Sequence, residues 1–343
     1  MKIIMTSLSF VLFLSAVAFV DPPPSLEYPA YFPKPVYHFE YNPLSQEKVT
    51  LGRALFYDPI LSRDSTISCA SCHSPYNAFA HTDHDLSHGI NDAIGTRNAP
   101  ALFNLAWQKS LMWDGAINHL DMQALAPITH PDEMGETLKN VVSKLQQKSI
   151  YPPLFFKAFG DSIVTGEHLL KALSQFQLTL ISGNAKYDQV KKGTDNFSAQ
   201  EKSGYLLFQE NCNACHREPL FTTSGFAANG LPVDTTLHDY GKGMITHKLE
   251  DSLTFKIPSL RNLSYTYPYM HDGRFRKIRQ VLDHYTTLTP GALKGPDSSE
   301  ITIVLTSNEK ADLIAFLLTL NDKEFLFNPL HQYPKNILHP EGF

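Results

Sequence analysis

The chain has 343 residues, of which 43% are hydrophobic and 18% charged, with a formal net charge of −5. That length can bury two packed domains, and the charge excludes a strongly basic surface of the kind that binds nucleic acid. No stretch is low in complexity.

The N-terminus carries Lys2, then a long apolar run, then Ala16-Val17-Ala18 as a small-x-small cleavage site. Residues 1–20 therefore read as an export signal. Cleavage would release a periplasmic protein, and an uncleaved signal would leave a membrane anchor. Residues 21–44, opening with Asp21-Pro-Pro-Pro, read as an extended segment. Ser45 can cap a first helix that carries Gly52-Arg-Ala-Leu55-Phe56 towards Cys69-Ala-Ser-Cys72-His73. The apolar spacing of Leu169, Leu170, Leu173, Phe176 and Leu180 predicts a helix over Gly166–Ile181. Gly183, Asn184, Gly193 and Asn196 interrupt the pattern between Ser182 and Phe197 and mark a junction. Ser198 with Glu201 forms a capping box for a helix carrying Gly204-Tyr-Leu-Leu207-Phe208 towards Cys212-Asn-Ala-Cys215-His216. Thr306 with Glu309 caps a last helix over Asn308–Leu320, and the proline-marked stretch 328–343 reads as a surface arm. Strand-type alternation is scarce.

All four cysteines lie in the two Cys-x-x-Cys-His motifs. Each pair of thiols can form two thioethers to one haem, and the following histidine offers a nitrogen to its iron. Two covalently bound haem c groups follow, ligated by His73 and His216. A four-cysteine zinc site would place its halves about 15–20 residues apart, whereas Cys72 and Cys212 lie 140 positions apart. The expected fold is mainly α: two cytochrome c-like haem domains with long loops, at 45–190 and 191–327. The repeated Gly…Leu-Phe approach to each motif indicates an internal duplication.

Between the motifs stand Gly95-Thr-Arg-Asn98-Ala-Pro100, Trp113-Asp-Gly115, Gln123-Ala, Pro127-Ile and Glu133-Met134-Gly135; beyond the second come Pro258-Ser-Leu-Arg261-Asn262 and Thr266-Tyr-Pro268-Tyr-Met-His271-Asp-Gly273. From about Leu51 to Leu320 this pattern resembles the bacterial di-haem cytochrome c peroxidase and MauG family. The resemblance implies that the His73 haem meets peroxide and the His216 haem stores or relays electrons. It places Gln123, Pro127 and Glu133 on the far side of the first haem and Trp113 between the two. Glu133 is the expected proton carrier, because burial raises a carboxyl pKa towards working pH. On residue type alone it would be a surface Glu near a helix start. Gln123 alone would be a polar helix residue, Pro127 a turn and Trp113 a core anchor. A calcium held by Asn98, Thr266 and Pro268 is also implied, an oxygen set that suits a hard cation.

Two positions depart from the family's peroxidases and lie closer to MauG-like members. Gly89-Ile90 aligns with the Gly-His pair that supplies a sixth ligand to the peroxide haem in many of them, and isoleucine cannot ligate iron. An open haem is expected, with His88, just before that pair, as the competing ligand. The spacing of His81, His84 and His88 would also suit a metal site on a helical face, although the Gly, Asp and Ser around them favour a solvated loop. Fourteen residues beyond His271 stands Tyr285, where these peroxidases usually have Met; Met270 and His284 compete for the role. The resulting expectation is an oxidoreductase of cytochrome c peroxidase type, reducing hydrogen peroxide to water with electrons from a small cytochrome c or copper protein. The alternatives are MauG-like, peroxide-dependent oxidation of a partner protein and a non-enzymatic di-haem electron carrier. A homodimer stays open.

Overall fold

In the computed structural model, which describes residues 25–339, two glycines set the way the main helices pair. A Cβ at Gly52 would lie 1.9 Å from the Ala172 carbonyl oxygen, and one at Gly204 would lie 1.9 Å from that of Asp312. Only glycine permits backbones to approach so closely. One turn further along each helix, Phe56 meets Phe176 with ring centroids 5.2 Å apart, and Phe208 meets Phe316 at 5.1 Å. Two similar helix pairs thus nucleate two apolar cores. The export-signal reading of residues 1–20 lies outside the described residues, as does Pro340 of the arm.

In chain order the first part holds α1 (Gln46–Tyr57), α2 (Cys69–Cys72), α3 (Leu120–Gln123), α4 (Leu125–Thr129), α5 (Leu138–Gln147), α6 (Tyr151–Phe159) and α7 (Gly166–Leu178). The second holds α8 (Lys186–Lys192), α9 (Ala199–Asn211), α10 (Gly243–Thr246), α11 (Ile278–Thr287) and α12 (Ser307–Leu318), followed by α13 (Lys323–Leu326) and α14 (Lys335–Leu338). Ser45 caps α1 through the Lys48 amide, and reciprocal boxes form at Ser198/Glu201 and Thr306/Glu309. Helices hold 42% of residues and strands 6%, so the protein is mainly α. The strands β1 (Phe226–Asn229), β2 (Thr254–Lys256), β3 (Leu293–Lys294) and β4 (Glu300–Ile301) make one antiparallel sheet in the order β2-β1-β3-β4. Ala227 pairs with Phe255, and Ala228 with Lys294.

The junction region contains α8, which the broken periodicity of 182–197 did not predict; a capping contact from Asp188 to the Ala185 amide starts it and Gly193 ends it. Its Tyr187, inside the sequence boundary of the first domain, packs in the second core with Phe221 and Phe316. Conversely Phe325 and Leu326 of α13 return to the first core. The C-terminal stretch forms short helical turns on α1, with Tyr57 donating to the His331 carbonyl and Arg53 to that of Gln332. The N-terminal segment ties the cores together: Phe32 packs in the first core and under the Arg261 guanidinium, which is buried and paired with Asp188.

The repetition goes beyond the helices. Asn104 and Asn262 both adopt left-handed backbone, and their amides donate to the carbonyls of Leu180 and Leu320. Leu111–Ile117 and Tyr269–Phe275 are each closed by an antiparallel bridge around Met-Trp-Asp-Gly (112–115) and Met-His-Asp-Gly (270–273). Met112 and Met270, and Gly115 and Gly273, share positive φ.

Candidate functional site

Capping at the start of α2, with Ser68 and Ser71 bonded to each other, presents Cys69, Cys72 and His73 on one tight turn. The His73 Nδ1 lies 2.7 Å from the Phe79 carbonyl oxygen. A carbonyl only accepts, so Nδ1 carries the proton and Nε2 keeps its lone pair for a metal. Burial pushes the His73 pKa down to about 4, which keeps the ring neutral. At the second motif His216 Nδ1 faces the carbonyls of Pro258, 3.0 Å away, and Phe221, 3.3 Å away, and burial again lowers its pKa to about 4. Phe79 and Phe221 both need positive φ to turn their carbonyls this way. These two orienting residues were missed in the sequence because backbone acceptors leave no side-chain signature.

Around the first motif, Glu133 is partly buried and its charge reaches Cys69 and Cys72. Burial raises its pKa above the ordinary carboxyl value, against a smaller lowering by His130. The Ile90 amide donates to the Glu133 carbonyl at 2.8 Å, and the buried Ile90 side chain packs at Gly135. The His88 Nδ1 pairs with Asp92 at 2.7 Å, its ring stacks on His84 with centroids 4.1 Å apart, and its carbonyl accepts from the Cys72 thiol at 3.4 Å. That stretch is loop, and among the described residues no three His, Cys, Asp or Glu side chains converge as a metal site. Gln123 ends α3 with its Nε2 3.8 Å from Met112 Sδ, and Pro127 lies in α4, its carbonyl taking the Met134 amide.

Around the second motif a cavity with mainly aliphatic walls is lined by Cys212, Cys215, His216, Met270 and Tyr285. Tyr285 enters from α11, and burial, with the two thiols nearby, pushes its phenol pKa upward. His284, its neighbour, is held by a 2.8 Å contact between Nε2 and the Asn229 carbonyl and does not line the cavity. A largely apolar cavity lined by two thiols, an oriented imidazole, a thioether and a phenol fits a haem c. His216 would hold the iron, with Tyr285 and Met270 both lining the cavity as candidate further ligands, and the iron when bound supplies the redox chemistry.

Trp113 lies on the wall of this cavity and donates from Nε1 to the Asn98 carbonyl at 2.9 Å, while the Asn98 amide donates to the His271 carbonyl. Arg97 clamps the same turn, pairing with Asp114 at 2.6 Å and Asp239 at 2.6 Å. Asn98, Thr266 and Pro268, the residues of the implied calcium site, line the same cavity. The structure therefore groups Glu133 with the first motif, and Trp113, Tyr285 and the calcium set around the second.

A family model for di-haem cytochrome c peroxidase matches residues 46–196. The chain is 39% identical over 302 residues to the methylamine utilization protein MauG of Methylorubrum extorquens, covering 84% of this chain and 82% of that one. It is 32% identical to the cytochrome c551 peroxidase of Nitrosomonas europaea, covering 81% of each. Among solved structures, a MauG-like protein associated with microbial copper homeostasis superposes with a TM-score of 0.80 at 30% identity, covering 90% of this chain and 99% of that one. With paired motifs, oriented histidines and this shared sequence along most of its length, the chain belongs to the di-haem cytochrome c peroxidase family, enzymes that carry two haem c groups.

Proposed function

We propose that this protein is a periplasmic peroxidase that reduces hydrogen peroxide to water with electrons from a small cytochrome c or copper protein. The observation that carries this reading is Glu133, a carboxyl that burial biases towards its protonated form beside the Cys69–Cys72 pair, with an isoleucine on its carbonyl. In this reading Glu133 takes the proton from the near oxygen of peroxide and returns it to the leaving oxygen. Gln123 and Pro127 would line the approach, and Ile90, standing where many of these peroxidases have a histidine, would offer no nitrogen to a metal there. Trp113, on the wall of the second cavity, shortens the electron path from the His216 side. Calcium at Asn98, Thr266 and Pro268 would brace that path. The test is peroxide turnover with reduced cytochrome c: the account expects saturable oxidation of the cytochrome, and its absence with any small donor would contradict it.

The second reading is peroxide-dependent oxidation of a partner protein. Tyr285 in the second cavity and the 39% identity to MauG favour it. A phenolate donates more electron density than a thioether and so favours the higher oxidation states of an iron it ligates. Slow turnover with cytochrome c, together with fast peroxide consumption only when the partner is present, would select this reading.

A further inference from the structure

Lys256, on β2, is mostly buried and lines the second cavity. Its Nζ has one hydrogen-bond partner among the described residues, the Gln108 side-chain oxygen at 3.4 Å, and no carboxylate within ion-pair distance. An ammonium buried away from a counter-charge is costly, and burial alone lowers this amine's pKa to about 8. Elsewhere in the molecule, buried cations are matched: Arg97 by Asp114 and Asp239, and Arg261 by Asp188. On the same cavity wall, His271 is 6% exposed and stacked on Phe255, and its Nδ1 has no hydrogen-bond partner among the described residues. The backbone of both residues is tied to the Trp113 turn: the Lys256 amide donates to the Trp113 carbonyl, and the Asn98 that accepts from Trp113 donates to the His271 carbonyl.

We propose that Lys256 and the Nδ1 of His271 form a carboxylate seat that receives the propionate edge of the His216 haem, fixing that edge against Trp113. The inference rests on the two-haem reading of the chain. A positive charge held at the propionates favours the reduced haem, because reduction lowers the net charge of the centre beside it. Lys256 is a positioning residue in this scheme: it acts on the haem's orientation and potential, not on peroxide.

The test is potentiometric titration of both haems in holoprotein carrying Lys256→Met, Lys256→Arg or the native lysine. The seat predicts that Lys256→Met shifts one redox equilibrium, that of the His216 haem, towards the oxidised form by about tenfold, about 59 mV for a one-electron couple. The other haem should stay unchanged, and Lys256→Arg, which keeps the charge, should retain the native value. Resonance Raman bands of the propionate bending modes provide a second readout in Lys256→Gln, should the methionine variant fail to fold, and they should shift. Unchanged potentials with unchanged propionate bands would overturn the seat, as would equal shifts of both haems. A haem count of one per chain would overturn the two-haem reading and the seat with it.

Discussion

Burial disfavours ionisation of both Glu133 and Tyr285, and in the proposed function the consequences differ because one would carry a proton and the other would hold a metal. Burial raises the Glu133 pKa above the ordinary carboxyl value, so its carboxylate forms at a higher pH than that of an exposed glutamate. If proton acceptance by Glu133 limits turnover, the rate falls as pH drops through that raised value, and the limb disappears in Glu133→Gln. The same variant should lower peroxide turnover about 10²-fold while leaving the haem absorption spectrum intact; an unchanged rate would remove Glu133 from the mechanism. For Tyr285, the Tyr285→Phe variant should alter the low-spin haem spectrum, and an unaltered spectrum would exclude ligation. The residue types were legible in the sequence only through the family pattern around them, since a lone Glu or Tyr carries no such signal. The contact that engages His284 with the Asn229 carbonyl is a pairing across 55 residues that no local pattern encodes.

At the scale of elements, helix starts were legible because capping is local. Ser45, Ser198 and Thr306 each bond within three residues of themselves. Helix α8 was not legible, because its glycine and asparagine neighbours look like a linker and its stability comes from Tyr187 in the second core. The glycine notches give the strongest element-level prediction. Gly52→Ala or Gly204→Ala would force its helix pair apart and should destabilise the fold by about 1–3 kcal/mol, read as a lowered Tm; an unchanged Tm would show that the pairs tolerate separation. The Arg97 clamp on the Trp113 turn has a defined pH dependence. Burial pushes Asp239 up, but its hydrogen bonds and charge contact with Arg97 prevail and hold it below the usual carboxylate range. The stabilisation is thus complete above the unfolded carboxyl's pKa and is lost as pH falls through the lowered native value. Arg97→Met leaves two buried carboxylates unpaired and should cost about 3–5 kcal/mol, with the loss smallest in acid; equal losses at all pH values would contradict the ion-pair account.

Over the whole molecule, one repeated unit has been used twice and then differentiated. The repeat sets the glycine notch, the phenylalanine carbonyl behind each histidine and the Met-x-Asp-Gly bridge in both halves. The text of Met-Trp-Asp-Gly and Met-His-Asp-Gly was visible in the sequence, but their equivalence emerged only when both bridges and both positive-φ methionines were seen together. In the proposed function the differences lie on the far side of each haem site, with Glu133 and Ile90 in the first half and Tyr285 in the second. That asymmetry is what separates a peroxidase from an electron carrier with two like haems, and spin state reports it directly. An EPR spectrum of the fully oxidised protein should contain one high-spin haem, from the open His73 site, and one low-spin haem, from His216 with Tyr285. Two low-spin haems would contradict the account.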